Sequence, residues 1–394
     1  MKPKLLHGDY IDENSLLVKD GYLLIQDEKI IYAGRVNPLS NGEEMETYGM
    51  PCRSIMIPGM IDLHIHGAAG ADVMDGTEDA LLKMSQTLPK EGTTSFLATT
   101  MTENIHHIER ALTQSAEFIE KQKSGTAEII GIHLEGPFIS PKRAGAQPKE
   151  YIKMPDLDLF KHWQKLAKNK IRLVTLAPEM EEGHELASYL TRNSIIASIG
   201  HSDSTFQEVK EGMEAGISHV THLFNGMRGM HHRDPGVAGA ALIQEELNVE
   251  MIVDGVHASP EMINLAYQST GPDRTILITD SMRAKGLGDG TYTLGGQKVT
   301  VENKKAYLED GTLAGSILSM NEAVKNMLKF TNCSIADIVK MTSVNAAKEL
   351  NIFDRKGSLS KGKDADITVL TDDFNVYMTF CRGKMAYQRK EEKV

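Results

Sequence analysis

Residues 58–67 read PGMIDLHIHG. Pro58 and Gly67 punctuate the two ends, and between them lies an apolar run that carries two histidines two positions apart. A short apolar run between breakers reads as a buried strand. Alternate residues of a strand share a face, so His64 and His66 point together from one end of it. The strand is expected to cover 57–66. Seven further apolar runs follow, at 94–99, 128–135, 171–178, 195–201, 219–222, 249–257 and 275–280. Helical stretches at 79–88, 105–121, 155–167, 183–191, 206–215 and 259–269 separate most of them. Eight strand–helix repeats over roughly 250–300 residues predict an α/β protein built as a (β/α)8 TIM-like barrel. A doubly wound sheet would also alternate, but no GxGxxG or Walker sequence follows the first strand.

The flanks of this repeat differ from it. Residues 22–25 and 29–33 are β-like and enclose Asp27-Glu28, a hairpin signal. Residues 365–370, 376–380 and 385–387 form a similar set near the other end. The two termini are therefore expected to meet in a small β-sandwich domain made of 1–56 and 356–394, with the barrel at 57–355. Residues 286–313 are Gly-rich and strand-like, and read as a β-excursion after strand eight. Residues 321–330 and 335–350 read as closing helices.

Bulk properties narrow the class of function. The chain has 394 residues, 41% hydrophobic and 25% charged, which is globular composition. Its formal net charge of -11 argues against non-specific nucleic-acid binding, which needs a basic field. Three cysteines, Cys52, Cys333 and Cys381, lie far apart without a CxxC pair. A disulfide framework is not expected, and a reducing cytoplasm is. The N-terminal residues lack the apolar core of a signal peptide, and no apolar run is long enough to span a membrane.

Chemistry concentrates at the C-terminal ends of the expected strands, where barrel enzymes carry their active sites. Strand one ends in Asp62-Leu63-His64-Ile65-His66. Strand three ends in His133-Leu134-Glu135, and strand five in His201-Ser202-Asp203. Strand six ends in His219-Val220-Thr221-His222 and runs on to Asn225. Strand eight ends in Asp280. Any one of these is as readily a hydrogen-bonded structural residue; the recurrence at matching ends points to a metal site. Imidazoles and carboxylates suit Zn or Fe. A divalent metal can lower the pKa of bound water from 15.7 to about 7, which hydrolysis of an inert amide requires. One carboxylate must then carry a proton from water to the leaving amine, and Asp280 is the candidate. His106-His107 reads as a solvated helix face, and Trp163 as structural.

With these residues placed, the chain resembles the amidohydrolase superfamily, through PGMIDLHIHG at 58–67, the His201 and His222 strand ends, Asp280 and KGSLSKGKDADITVL at 356–370. Within it, HLEGPF at 133–138, GHSDS at 200–204, THLFNGM at 221–227, DGVH at 254–257 and TDSM at 279–282 are similar to the N-acetylglucosamine-6-phosphate deacetylases. The resemblance spans essentially the whole chain. It implies a metal-dependent deacetylase of amino-sugar metabolism that converts N-acetylglucosamine 6-phosphate to glucosamine 6-phosphate and acetate. It implies one or two divalent metals per subunit. Glu135, His201 and His222 would hold the principal one. His64 and His66 would hold a second, with Glu135 bridging and Asp280 completing the site. Strand four ends in Leu176-Ala177-Pro178-Glu179, so the carboxylated lysine of other superfamily members is not expected.

For substrate, the resemblance assigns Asn225 and Gly226 to the sugar phosphate. Arg233 would bind the phosphate across a homodimer interface. His257 would bind the sugar, and Leu313, Ala314 and Gly315 would close over the acetyl end. Ala146 and Gln147 form another contacting pair; some relatives carry His where this chain has Gln147, and Gln can donate a hydrogen bond but cannot carry a proton. The remaining alternatives are a different N-acetyl amino sugar, a cyclic amide or nucleobase on the same metal site, and a catalytically dead sugar-phosphate sensor. A sensor would tolerate loss of Asp280 or the ligands, and this chain keeps them all.

Overall fold

The computed structural model describes residues 2–38 and 44–390. Residues 1, 39–43 and 391–394, parts of the expected small domain, lie outside these. Eight strands follow one another in chain order around a barrel: Met60–Ile65, Thr93–Thr99, Glu128–Glu135, Ile171–Leu176, Ile196–Ile199, His219–Val220, Asn248–Ile252 and Thr275–Ile278. Every neighbouring pair is parallel. A bridge between Ile65 and Ser281 joins the last strand's end to the first, and the Asp280 amide donates to the His64 carbonyl across the same seam at 2.8 Å. The strands are apolar at consecutive positions because helices cover one face and the barrel core the other.

The expected first strand is divided. Ile55–Pro58 belongs to another sheet, where it pairs with Ile367–Leu370, and the barrel strand starts at Met60. Gly59 is the crossing point, and a Cβ there would stand 2.2 Å from Thr94 Oγ1. Strands six, seven and eight stop at Val220, Ile252 and Ile278, short of the expected 222, 257 and 280. His222, His257 and Asp280 are therefore aimed by the loops that follow, not by strand alternation.

The helices Glu78–Thr87, Ile105–Lys121, Leu157–Leu166, Gly183–Arg192 and Phe206–Glu214 match the amphipathic stretches. In Ile105–Lys121 the Asn104 side chain caps the His106 amide, and Ile108, Ala111, Leu112 and Ala116 form the buried stripe. Pro260–Arg274 runs past the expected end at 269, bending at Gly271 before Pro272. A further helix, Gly236–Ile243, has the sequence GVAGAALI and is buried from Gly236 to Ala241. It carries no polar face, so no periodicity marks it. The excursion after strand eight is a three-stranded sheet, Gly290–Leu294, Gln297–Glu302 and Lys305–Tyr307. Among the described residues no helix is long and apolar enough to cross a membrane.

Strands from both ends of the chain form one sheet. Its order is Lys384–Gln388, Val376–Cys381, Ile367–Leu370, Ile55–Pro58, Lys4–Ile11, Leu17–Gln26, Lys29–Gly34, with Glu46–Gly49 also paired to Lys4–Ile11. The sheet is antiparallel except where Lys4–Ile11 runs parallel to Glu46–Gly49 and Ile55–Pro58. Leu6, Leu23, Ile25 and Ile30 from one half share a core with Ile367, Val369, Met378 and Phe380 from the other. The Tyr48 ring meets Phe380 edge-on at 5.2 Å. The sheet thus folds over its own apolar face.

A buried ion cluster ties this sheet to the barrel. Lys356 Nζ lies 2.7 Å from Glu128 on strand three and 3.2 Å from Asp364, and also contacts Asp366. Arg355 adds bonds to Glu128 and Asp364 at 3.0 and 3.1 Å. Burial would raise Glu128 and Asp364, but Lys356 outweighs it and holds both below their ordinary values of 4.5 and 3.8. Burial dominates at Asp366, whose carboxyl is raised. Lys356 itself is raised: burial opposes its charge, and Asp366 and Glu128 more than restore it. Lys356→Met is expected to destabilise the protein by about 3–5 kcal/mol, because three buried carboxylates lose the one buried cation they share and Arg355 reaches only two of them. The contribution of Glu128 and Asp364 is present above their ordinary values and is lost as pH falls through the lowered folded ones. That of Lys356 is lost only as pH rises beyond 10.5. Urea melts of wild type and K356M at neutral pH and near pH 3 should show the gap shrinking in acid.

Candidate metal centre

At the C-terminal mouth of the barrel, side chains from the ends of strands one and three and from the loops after strands five, six and eight converge. Glu135 Oε1 lies 3.2 Å from His201 Nε2 and 3.1 Å from His222 Nε2, and the two Nε2 atoms are 3.1 Å apart. These edges make a nearly equilateral triangle of donor atoms. Zinc bonds of about 2.0–2.1 Å in tetrahedral geometry put ligand atoms about 3.3 Å apart, so this triangle fits a divalent cation. A second group shares Glu135. His64 Nε2 lies 3.4 Å from Glu135 Oε1 and 3.5 Å from Asp280 Oδ1. His66 Nε2 lies 3.3 Å from Glu135 Oε2 and 3.3 Å from Asp280 Oδ1. His64 Nε2 is buried and has no hydrogen bond despite these close oxygens. A buried ring nitrogen crowded by oxygens that it does not bond is what a ligand atom looks like. Both groups, Glu135/His201/His222 and His64/His66/Asp280, could hold a metal ion.

Electrostatics agree. Burial favours the neutral form of Glu135, yet His64, His201 and His222 outweigh it and hold the carboxyl well below the ordinary range. Burial also raises Asp280, but His64 and His66 overcome it, so Asp280 stays a carboxylate. Burial disfavours charge on His66, while Asp280 and Glu135 push it up to about 9. The site's carboxylates thus draw positive charge to this spot.

The backbone at three of these residues is unusual. His201, His222 and Asp280 have φ of 47°, 32° and 46°, left-handed values that non-glycine residues rarely adopt and that cluster at functional sites. Local bonds hold them. The Arg143 carbonyl accepts from His201 Nδ1 at 2.9 Å, and Arg143 is clamped to Asp203 at 2.7 Å. Ser202, Asp203 and Ser204 all donate to Glu179, in the loop after strand four.

A cavity of about 230 Å³ opens over the cluster. Its walls include His66, Glu135, His201, His222 and Asp280, together with Ala146, Gln147, Asn225, Gly226, His257, Leu313 and Gly315. His64 lies beneath it, and Ala314 is buried behind the wall. Arg233 is not among its walls; it is exposed and bonds His232. Gln147 donates to Glu135 Oε2 at 2.7 Å and accepts from the Thr102 amide at 2.8 Å, which leaves one N–H free to meet a ligand. His257 has its Nδ1 held by Asp254 at 2.7 Å. Leu294 of the excursion sheet also lines the cavity, and Gln297 donates to the Ala146 carbonyl.

Sequence reasoning missed Glu250, which is fully buried beneath the cluster. Its signal was a lone acid inside the apolar strand Asn248–Ile252, where an ionised carboxyl needs partners. His106 and His107 face solvent, and Trp163 is buried against Phe138.

The Amidohydrolase family profile matches residues 55–386. The N-acetylglucosamine-6-phosphate deacetylase of Bacillus subtilis is 50% identical over 96% of this chain and 98% of its own length. The chain belongs to the amidohydrolase family, in its N-acetylglucosamine-6-phosphate deacetylase branch. The N-acetylgalactosamine-6-phosphate deacetylase of Escherichia coli O157:H7 is 35% identical over 97% of both chains. A variant of the Mycobacterium smegmatis N-acetyl-D-glucosamine-6-phosphate deacetylase, solved in complex with N-acetyl-D-glucosamine-6-phosphate, superposes with a TM-score of 0.91 at 27% identity, covering 98% of this chain and 100% of that one.

Proposed function

We propose that this amidohydrolase hydrolyses N-acetylglucosamine 6-phosphate to glucosamine 6-phosphate and acetate. The observation that carries the reading is the meeting of Glu135, His201 and His222 at one point beside the Asp280 carboxylate, in a chain half identical to a deacetylase of that substrate. Glu135, His201 and His222 would hold the principal cation. His64, His66 and Asp280, with Glu135 between, would hold a second. Zn or Fe suits this nitrogen and oxygen set. A divalent cation there supplies acidity to water and polarises a carbonyl.

The protein's own residues do the rest. Asp280 starts as a carboxylate and takes a proton from the attacking water. The water oxygen bonds the acetamide carbon, the C–N bond breaks, and Asp280 returns the proton to the departing amine nitrogen. His257, fixed by Asp254, offers its free ring nitrogen to the sugar. Ala146 and Gln147 line one wall, and Leu313 and Gly315, backed by the buried Ala314, form the wall toward the acetyl end. Asn225 and Gly226 face the phosphate. Arg233, exposed and outside its own cavity, supplies a bidentate phosphate contact to a neighbouring subunit of a homodimer. The free cysteines accord with a cytoplasmic setting.

Acetate release tests the reading. The expected order is N-acetylglucosamine 6-phosphate first, its galacto epimer second, and unphosphorylated N-acetylglucosamine lower by at least about 10²-fold in kcat/KM. Equal rates with and without phosphate would refute the phosphate assignments, and release of no acetate would favour a sensor.

A further inference from the structure

We infer that Glu250 is a positioning residue that sets the ligand geometry of both cation groups at once. The inference rests on the cation-binding reading above. Glu250 lies in the strand Asn248–Ile252 and has no solvent exposure. Both of its oxygens are bonded. Oε2 accepts from His64 Nδ1 at 3.0 Å and from the His222 backbone N–H at 3.2 Å. Oε1 accepts from His219 Nε2 at 3.2 Å. His219 Nδ1 faces Glu349 at 3.3 Å, and Glu349 accepts from Asn248 at 2.6 Å.

The consequence follows from what a carboxylate can do. It only accepts, so in the neutral ring it fixes the His64 proton on Nδ1 and leaves the Nε2 lone pair for a cation. That Nε2 is the atom facing Glu135 and Asp280. The same oxygen pins the amide of His222, a residue held at φ 32°. One side chain therefore orients a ring in the second group and a backbone in the first. His219 and Glu349 brace it from below, so Glu250 cannot swing away without breaking a chain of buried bonds.

Glu250→Gln keeps the shape. Its amide oxygen can still accept from His64 and His222, and its NH2 can donate to His219 once that ring places its proton on Nδ1, toward Glu349. The charge that makes His64 a better donor to a cation is lost. Glu250→Leu removes the acceptor as well. Metal-free protein titrated with Zn²⁺ against a chromophoric chelator reads both affinities. The expected result is two ions in wild type, a second ion bound about 10-fold more weakly in E250Q and about 100-fold more weakly in E250L, a first ion also weakened in E250L, where the His222 amide loses its acceptor, and metal-free E250Q melting within a few degrees of wild type. A wild type that takes no cation overturns the functional reading itself. A wild type that takes one, an E250Q that takes both as tightly, or metal loss that merely tracks a lower metal-free melting temperature overturns this inference alone. A second measurement needs no Glu250 variant. Zinc-loaded protein labelled with ¹⁵N-histidine should show a slowly exchanging, downfield Nδ1–H for His64, assigned by its loss in H64Q; a His64 proton on Nε2 overturns the inference.

Discussion

Asp280→Asn is expected to lower turnover by about 10²–10⁴-fold while leaving a cation between Glu135, His201 and His222. The substitution is nearly isosteric. The residue's backbone amide still donates to the His64 carbonyl, and its carbonyl still accepts from the Ser316 amide, so the left-handed turn at position 280 keeps its supports. What disappears is a group that can accept and return a proton. Asp280 suits that role because His64 and His66 keep it ionised against the pull of burial, and because it opens onto the cavity. Steady-state acetate release, with metal counted in the same samples, checks this. Near-normal turnover would remove Asp280 from the chemistry. Equal loss of turnover and of the ion in the Glu135 triangle would make Asp280 a structural ligand instead.

Glu135→Gln is expected to have the larger effect on metal content. Glu135 lies 3.1–3.4 Å from nitrogens of His64, His66, His201 and His222, so both groups depend on its two oxygens. An amide presents one oxygen and one NH2, and the NH2 cannot ligate. Of the carboxylates that face the Nε2 atoms of these imidazoles, Asp280 alone would remain among the described residues. The loss in affinity should exceed the 10–100-fold that follows from removing an outer hydrogen-bond partner, and acetate release should fall with it. Elemental analysis after dialysis reads the first effect. An E135Q protein that retains two ions per chain would show that the carboxylate does not bridge.

The barrel was legible because a parallel strand covered on both faces is an unbroken apolar run, and such runs recur between amphipathic helices such as Ile105–Lys121. Where the pattern carried no contrast, it misled. The apolar run at 57–66 does not change character at Gly59, although the chain passes there from one sheet to another. Gly236–Ile243 has no polar face to report a helix. The candidate ligands were legible from residue type and from position at strand ends, yet the reason they converge was only partly so. His64 and His66 share a face by alternation, whereas His201, His222 and Asp280 are aimed by left-handed residues in the loops. Glu250 escaped notice because its partners, His64, His219 and the amide of His222, come from other strands. The cluster around Lys356 stayed hidden for the same reason: Glu128 lies 228 positions earlier in the chain, by the difference 356 − 128.

The most direct test of the account is anomalous diffraction at the metal's absorption edge from crystals of freshly purified protein. A peak is expected between Glu135 Oε1 and the Nε2 atoms of His201 and His222. No peak at that point, or an ion bound elsewhere with these three side chains turned apart, would contradict it.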